Sequence, residues 1–445
     1  MSCPHQGFQG KGVVVQRNLF ASLQAWKDHP HRKPLILKGA RQVGKTWLLK
    51  EFGKQCFSSC VYVRMEDNAA MAQLFEGSLN PDRLLDGIAA FTGQPIIPGE
   101  TLLILDEVQA VPRALTALKY FNEDAPQYAI AVAGSLLGVA LHQGISFPVG
   151  KVTFLDLHPM SFTEFLLACK EDALVRILEE RATDMLAVFK ERFTDLLRQY
   201  YFVGGMPEAV KTFVAQKDFS AVRAVQNDIL IAYESDFSKH QNEATAERCR
   251  QIWQSIPRQL AKENKKFIYG AVKQGARGRE LGEALQFLED CGLVIRVDRI
   301  AKPGIPLASY KDNAAFKLYL VDVGLLGAMA GLDSKSIIEG NRLFEEFKGS
   351  LVEQYVCQQL VADCGLHPYY WSAEKSSGEV DFVFQSGGEV IPLEVKAEEN
   401  LKGKSLASFC EKYHLETAVR LSLAGYRDQG WLTNIPLYAA RFLRP

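Results

Sequence analysis

Residues Gly39 to Thr46 read Gly-Ala-Arg-Gln-Val-Gly-Lys-Thr, preceded by the apolar run Leu35, Ile36, Leu37 and followed by Trp47, Leu48, Leu49, Lys50. The spacing G-x-x-x-x-G-K-[ST], between a strand-like and a helix-like run, is that of a phosphate-binding loop. Glycines let successive backbone N–H groups turn inward around a polyphosphate, and the N-terminus of the following helix adds partial positive charge. In this reading Gly39, Ala40, Arg41, Gln42, Val43, Gly44, Lys45 and Thr46 form a nucleotide cradle, with Lys45 reaching the outer phosphates and Thr46 holding magnesium through its hydroxyl. A Gly-rich turn without ligand is the bland alternative. The strand before and the helix after weigh against it.

Thr101 to Gln109 read TLLILDEVQ, an apolar run ending in two adjacent carboxylates, as expected of a buried parallel strand whose carboxyl end meets a ligand. Asp106 is placed to bind the magnesium, directly or through water, and Glu107 to orient or deprotonate an attacking water. A third apolar run, Tyr128 to Ala133, ends in Gly134 and Ser135. Ser135 is the candidate for sensing the terminal phosphate or positioning water; otherwise it is a plain strand-to-turn serine.

The chain has 445 residues, 47% apolar and 23% charged, with a formal net charge of −1. That length suggests two or three domains, and the composition fits a globular protein rather than a disordered one. No run of 18 apolar residues occurs, so no membrane partner is expected; the longest candidate, Leu318 to Leu332, is shorter and carries Asp322. The start, MSCPHQGFQGKG, lacks an apolar signal core, and the nine cysteines are scattered, which together point to a reducing cytoplasm. Cys56 and Cys60 are a near pair without the further ligands of a zinc site. Near-neutral charge excludes a uniformly basic coat, so any nucleic-acid partner has to be met by a local patch.

From Val14 to about Leu157 strand-like runs alternate with amphipathic stretches, the pattern of a parallel sheet wrapped by helices. The expected strands are Pro34 to Lys38, Val61 to Met65, Leu102 to Leu105, Ile130 to Ala133 and Val152 to Leu155. From Ser161 to about Lys239 the pattern turns helical, opening on Ser161 and Glu164 as a capping box. Gly204, Gly205, Met206, Pro207 and Glu208 break it as an interhelical turn. From Thr245 to about Ala301 the order is helix, helix over Arg279 to Cys291, then a strand over Leu293 to Ile300, which suits a winged-helix unit. The stretch Lys239 to Glu280 is locally basic, with Lys239, Arg248, Arg250, Arg258, Lys262, Lys265, Lys266, Lys273, Arg277 and Arg279 outnumbering Glu243, Glu247, Glu263 and Glu280. A solvated helical face accounts for that excess as well as a nucleic acid does. The expected divisions are residues 1–160 for the nucleotide core, 161–240 for a lid, 241–312 for a connector and 313–445 for a C-terminal domain.

That last part carries a second set of acids: Glu353 in LVEQYVCQQL, Asp381 in GEVDFVF, and Glu394 and Lys396 in VIPLEVKA. Glu394 and Lys396 share one face of a strand by its period of two, so two hairpin strands and a helix can converge three carboxylates and one ammonium. Such a spot suits phosphodiester cleavage, with Glu353, Asp381 and Glu394 as oxygen ligands of a metal and Lys396 activating water. A salt-bridged hairpin face is the bland alternative.

With these motifs on view the chain resembles the bacterial and archaeal AAA-type P-loop ATPases that carry a C-terminal domain of unknown function built on a restriction-endonuclease-like, PD-(D/E)xK core. The resemblance spans nearly the whole chain, through GARQVGKT, LLILDEVQ, AGS at Ala133 to Ser135, LHPMSFTEFL, GGMPEAV, FKLYLVDVGLL, GEVDFVF and PLEVKA. It implies an α/β architecture: an AAA-type parallel sheet, helical lid, winged-helix-like connector and nuclease-like C-terminal α/β domain. It implies ATP and Mg2+ as cofactors, hydrolysis through Asp106 and Glu107, and nuclease-type positions at Glu353, Asp381, Glu394 and Lys396. Where relatives tend to have Gly-Arg, this chain has Gly150-Lys151, and lysine lacks the planar fork of an arginine finger. The cation then comes from Arg41 or from another subunit of a homo-oligomer, or turnover is slow. The expected function is ATP hydrolysis acting on or gated by nucleic acid, DNA before RNA. The alternatives are a C-terminal domain that binds DNA without cutting, and a nucleotide-dependent switch for protein partners.

Overall fold

The computed structural model describes residues 16–135, 150–262, 264–336, 345–373, 378–398 and 404–445. The first residues of the chain and Glu263 of the basic stretch lie outside them. Five strands, β1 (Leu35–Lys38), β2 (Ser59–Arg64), β3 (Thr101–Asp106), β4 (Ala129–Ala133) and β5 (Thr153–Asp156), form one sheet in the order β2-β3-β4-β1-β5, every pairing parallel. The run Leu102 to Leu105 shows why it needs no polar alternation: Leu102 and Ile104 enter one core, Leu103 and Leu105 the other, and all four are buried. β4 stands between β1 and β3, so the loops leaving these three strands meet at one edge.

Ser161 and Glu164 make the expected capping box, the Ser161 hydroxyl accepting from Glu164 N at 3.3 Å and the Glu164 carboxylate from Ser161 N at 2.9 Å. The helices that follow end in the long helix Phe219–His240, and Gly204 and Gly205 form the turn between Lys190–Val203 and Pro207–Gln216. Beyond lie the helices Glu243–Leu260, Tyr269–Val272 and Gly278–Asp290, then β6 (Val294–Ile300) and β7 (Lys311–Leu320), which pair antiparallel.

The ribbon β6–β7 does not stop at a connector. With β8 (Tyr369–Ser372), β9 (Glu379–Ser386), β10 (Glu389–Val395), β11 (Ala418–Ser422), β12 (Arg427–Asp428) and β13 (Leu432–Pro436) it makes an eight-stranded sheet, ordered β12-β13-β11-β10-β9-β8-β6-β7. The expected division at residue 312 therefore falls inside β7. The reason is the run Ala315 to Leu320, buried throughout, which needs cover on both faces and takes it from both sides of that position. Within the C-terminal part the order is helix Glu345–Ala362, β8, β9, β10, helix Lys404–Tyr413, β11, with β10 and β11 parallel and β8, β9 and β10 antiparallel.

Candidate functional site

The loop between β1 and the helix Lys45–Cys56 alternates ordinary and left-handed residues, with φ of +66° at Gln42 and +95° at Gly44. That alternation turns amides to one side and carbonyls to the other, making a concavity for an anion. Gly39, at φ +143°, presses on the chain after β5: an added Cβ would stand 2.1 Å from Leu157 O, so glycine is required. The Lys45 ammonium folds back to donate to Gly39 O at 2.8 Å and Ala40 O at 2.7 Å. Burial pulls its pKa down to about 8, against the opposing pull of Glu107 and Asp106.

Thr46 Oγ1 donates to Asp106 Oδ2 at 2.7 Å, and Tyr62 OH, from the neighbouring β2, donates to the same oxygen at 3.0 Å. A hydroxyl and a carboxylate side by side, both hard oxygen donors, fit magnesium beside a polyphosphate. Burial, with Asp106 next, pushes the Tyr62 hydroxyl up to about 12, so it stays a donor. Glu107 follows at φ +51°, and its Oε2 accepts from Gln109 Nε2 at 2.7 Å, Ser135 Oγ at 3.3 Å and Ser135 N at 3.4 Å. Lys45, Thr46, Asp106, Glu107 and Ser135 are thus brought to one edge. Tyr62 and Gln109 were not singled out in the sequence, although Tyr62 lies just before the end of a strand as Asp106 does at the end of the next.

Two further cations have carboxylate partners of their own. Arg41 Nη1 pairs with Asp236 of the helix Phe219–His240 at 2.5 Å, and Lys151 pairs with Glu123 at 2.9 Å.

In the C-terminal part Glu394 and Lys396 do lie on one face, 3.1 Å apart, and the other oxygen of Glu394 accepts from Arg420 Nε at 3.0 Å. Asp381 Oδ2 accepts from Val395 N at 2.7 Å. Glu353 takes ion pairs from Lys265 and, at 3.8 Å, from Lys317, and accepts from Tyr319 OH at 3.1 Å. Lys317 is fully buried and also pairs with Glu379. Burial alone would lower its pKa, yet Glu353, Glu379 and Asp381 hold it above the ordinary value. Burial, and then the neighbouring charge of Glu353, push Asp381 up to about 7. Glu353 and Asp381 therefore sit together, while Glu394 is engaged by Lys396 and Arg420. Among the described residues no group of three or more His, Cys, Asp or Glu side chains is placed to share one metal ion. Lys317 had a sequence signal, a single charge inside the apolar run AFKLYLV.

Three family models match parts of the chain: one described as AAA domain over residues 31–166, and two described as domains of unknown function, DUF8612 over 194–336 and DUF4143 over 348–438. The N-terminal part is an AAA-type domain. An uncharacterized protein of Mycobacterium tuberculosis is 23% identical over 375 residues, 82% of this chain and 71% of its own, and one of Mycobacterium bovis matches to the same extent. Among solved structures, a Walker-type ATPase of Pyrococcus abyssi aligns with TM-score 0.47 and 13% identity over 71% of this chain and 96% of its own. AMPPCP-bound DnaA from Aquifex aeolicus aligns with TM-score 0.27 and 15% identity over 64% and 90%.

Proposed function

We propose that this chain is a magnesium-dependent ATPase acting on, or gated by, nucleic acid, with DNA the favoured partner. The observation that carries the reading is the convergence of Lys45, Thr46, Asp106, Glu107 and Ser135 on the carboxyl edge of β1, β3 and β4. In this reading the Lys45 ammonium exchanges the carbonyls of Gly39 and Ala40 for phosphate oxygens. Magnesium, held by Thr46 and Asp106, would neutralise charge developing on the phosphates. Glu107, kept in place by Ser135 and Gln109, aligns the attacking water and takes its proton. Since Arg41 and Lys151 are already paired, a stimulating cation is assigned to a second copy in a homo-oligomer.

Lys273, Arg277 and Arg279 are exposed ahead of and at the start of the helix Gly278–Asp290, where a winged-helix unit would meet a phosphate backbone. For the nuclease-like C-terminal domain, binding without cutting is the better reading. Lys265, Lys317 and Tyr319 engage Glu353, and Lys396 and Arg420 engage Glu394, so a metal there would have to displace cations, whereas at Asp106 it would displace only neutral donors. The competing reading gives Glu353, Asp381 and Glu394 a metal and Lys396 a water to activate.

The test measures ATP turnover and plasmid integrity together, with magnesium or manganese. Lys45→Ala should abolish turnover while keeping the fold, and DNA should raise wild-type turnover. Undiminished turnover in that variant would sink the ATPase reading, and plasmid nicking that Asp381→Ala removes would restore the cutting one.

A further inference from the structure

The carbonyls of Gly39, Ala40, Arg41, Val43 and Gly44 in the phosphate loop each have a hydrogen-bond donor. Gly39 O and Ala40 O accept from the Lys45 ammonium, and Gly44 O accepts from Leu48 N at 2.9 Å as the first bond of the helix. The two outward carbonyls between them are gripped from outside the loop. Arg41 O accepts from Tyr233 OH at 2.8 Å, and Val43 O from Arg17 Nη1 at 2.8 Å. Both donors are buried, Tyr233 at 1% and Arg17 at 7% exposure. Neither is free to turn. Tyr233 lies on the helix Phe219–His240, packed edge-on against Trp253. Arg17 spends its other donors on His158 O and on Glu164, the capping-box carboxylate, at 3.2 Å from its Nε.

Residues 41 and 43 alternate with Gln42 and Gly44, the two left-handed positions, so fixing these carbonyls outward fixes the intervening amides inward. We propose that Arg17 and Tyr233 are positioning residues for the phosphate loop: they touch no phosphate, and hold the amide-lined concavity open before ligand arrives. The inference rests on the ATP-binding reading and deepens it. A lysine at position 17 cannot serve Val43 O, His158 O and Glu164 at once, because only a guanidinium fork reaches three acceptors in fixed directions.

The experiment measures dissociation constants for ATP and for tripolyphosphate, with KM and kcat for turnover, in wild type, Tyr233→Phe, Arg17→Lys and Lys45→Ala. Tripolyphosphate isolates the loop, since it carries nothing but phosphates. Loss of one such bond should weaken both ligands by roughly tenfold in Tyr233→Phe and by more in Arg17→Lys, where the donor is charged. KM should rise by the same factor with kcat little changed. A merely structural role would lower the active fraction and leave both dissociation constants where they were. Should Arg17→Lys fail to fold, Tyr233→Phe, which removes one hydroxyl, decides. Unchanged affinity for both ligands in a folded Tyr233→Phe overturns the proposal. If wild type binds neither ligand, it is the ATP reading itself that fails.

Discussion

Gly205 is pressed so closely on the chain just before the helix Phe162–Ala168 that an added Cβ would stand 2.0 Å from Met160 O and 2.8 Å from Met160 N. Its N–H donates to the buried carboxylate of Asp322 at 2.6 Å, and its carbonyl accepts from Met160 N at 2.7 Å. Asp322 in turn accepts from Leu325 N at 3.0 Å and Gln358 Nε2 at 3.1 Å. Gly205→Ala must therefore separate two backbones, neither of which can turn aside as a side chain would. The expected cost is about 2–3 kcal/mol, read as a lower urea midpoint at unchanged slope. The sequence shows Gly204 and Gly205 as a break between helices, and so they are. It does not show the partner, because Asp322 lies 117 positions away and looks there like a stray charge in an apolar run. The same limit hides Arg17 and Tyr233, whereas Lys45 and Thr46 are legible because their chemistry is fixed by spacing within one loop.

At the scale of the element, the strands of the first sheet are legible because burial on both faces leaves an uninterrupted apolar run. The helix Glu345–Ala362 is not legible in this way. LVEQYVCQQL mixes apolar residues with Glu353 and three glutamines, yet Gln354, Gln358 and Gln359 are all buried. Each glutamine satisfies a backbone group of another element: Gln354 accepts from Leu320 N at 2.8 Å and donates to Leu320 O at 2.6 Å, Gln358 accepts from Val323 N at 2.9 Å, and Gln359 accepts from Phe162 N at 2.9 Å. Amide side chains thus do for the end of β7 and for the starts of the helices Val323–Met329 and Phe162–Ala168 what a neighbouring strand would do. Gln354→Leu keeps the shape and orphans both polar groups of Leu320. It should lose about 2–3 kcal/mol, more than an exposed glutamine on the same helix could cost. A loss within about 0.5 kcal/mol would mean that those groups find other partners.

At the scale of the molecule, the order of motifs predicts a connector followed by a separate C-terminal domain, and the sheet runs through both. β7 begins at Lys311 and carries Lys317 and Tyr319 to the Glu353 carboxylate, while Lys265, from the chain after the helix Glu243–Leu260, reaches the same carboxylate. Cutting at 312 removes β6, and with it the partners of Phe316, Leu318 and Leu320, and strips one cation from Glu353. A fragment of residues 313–445 would then expose a long apolar strand edge and hold a buried carboxylate with half its neutralising charge. A fragment of residues 243–445 keeps the ribbon, the sheet and both lysines. The shorter piece should show no cooperative thermal transition, or one well below that of the longer piece, when both are followed by circular dichroism at matched concentration. Equal, cooperative melting of the two would mean that the C-terminal acids are neutralised without Lys265 and that residue 312 is a true boundary. The reading that Lys265 keeps the Glu353 carboxylate engaged would then lose its main support.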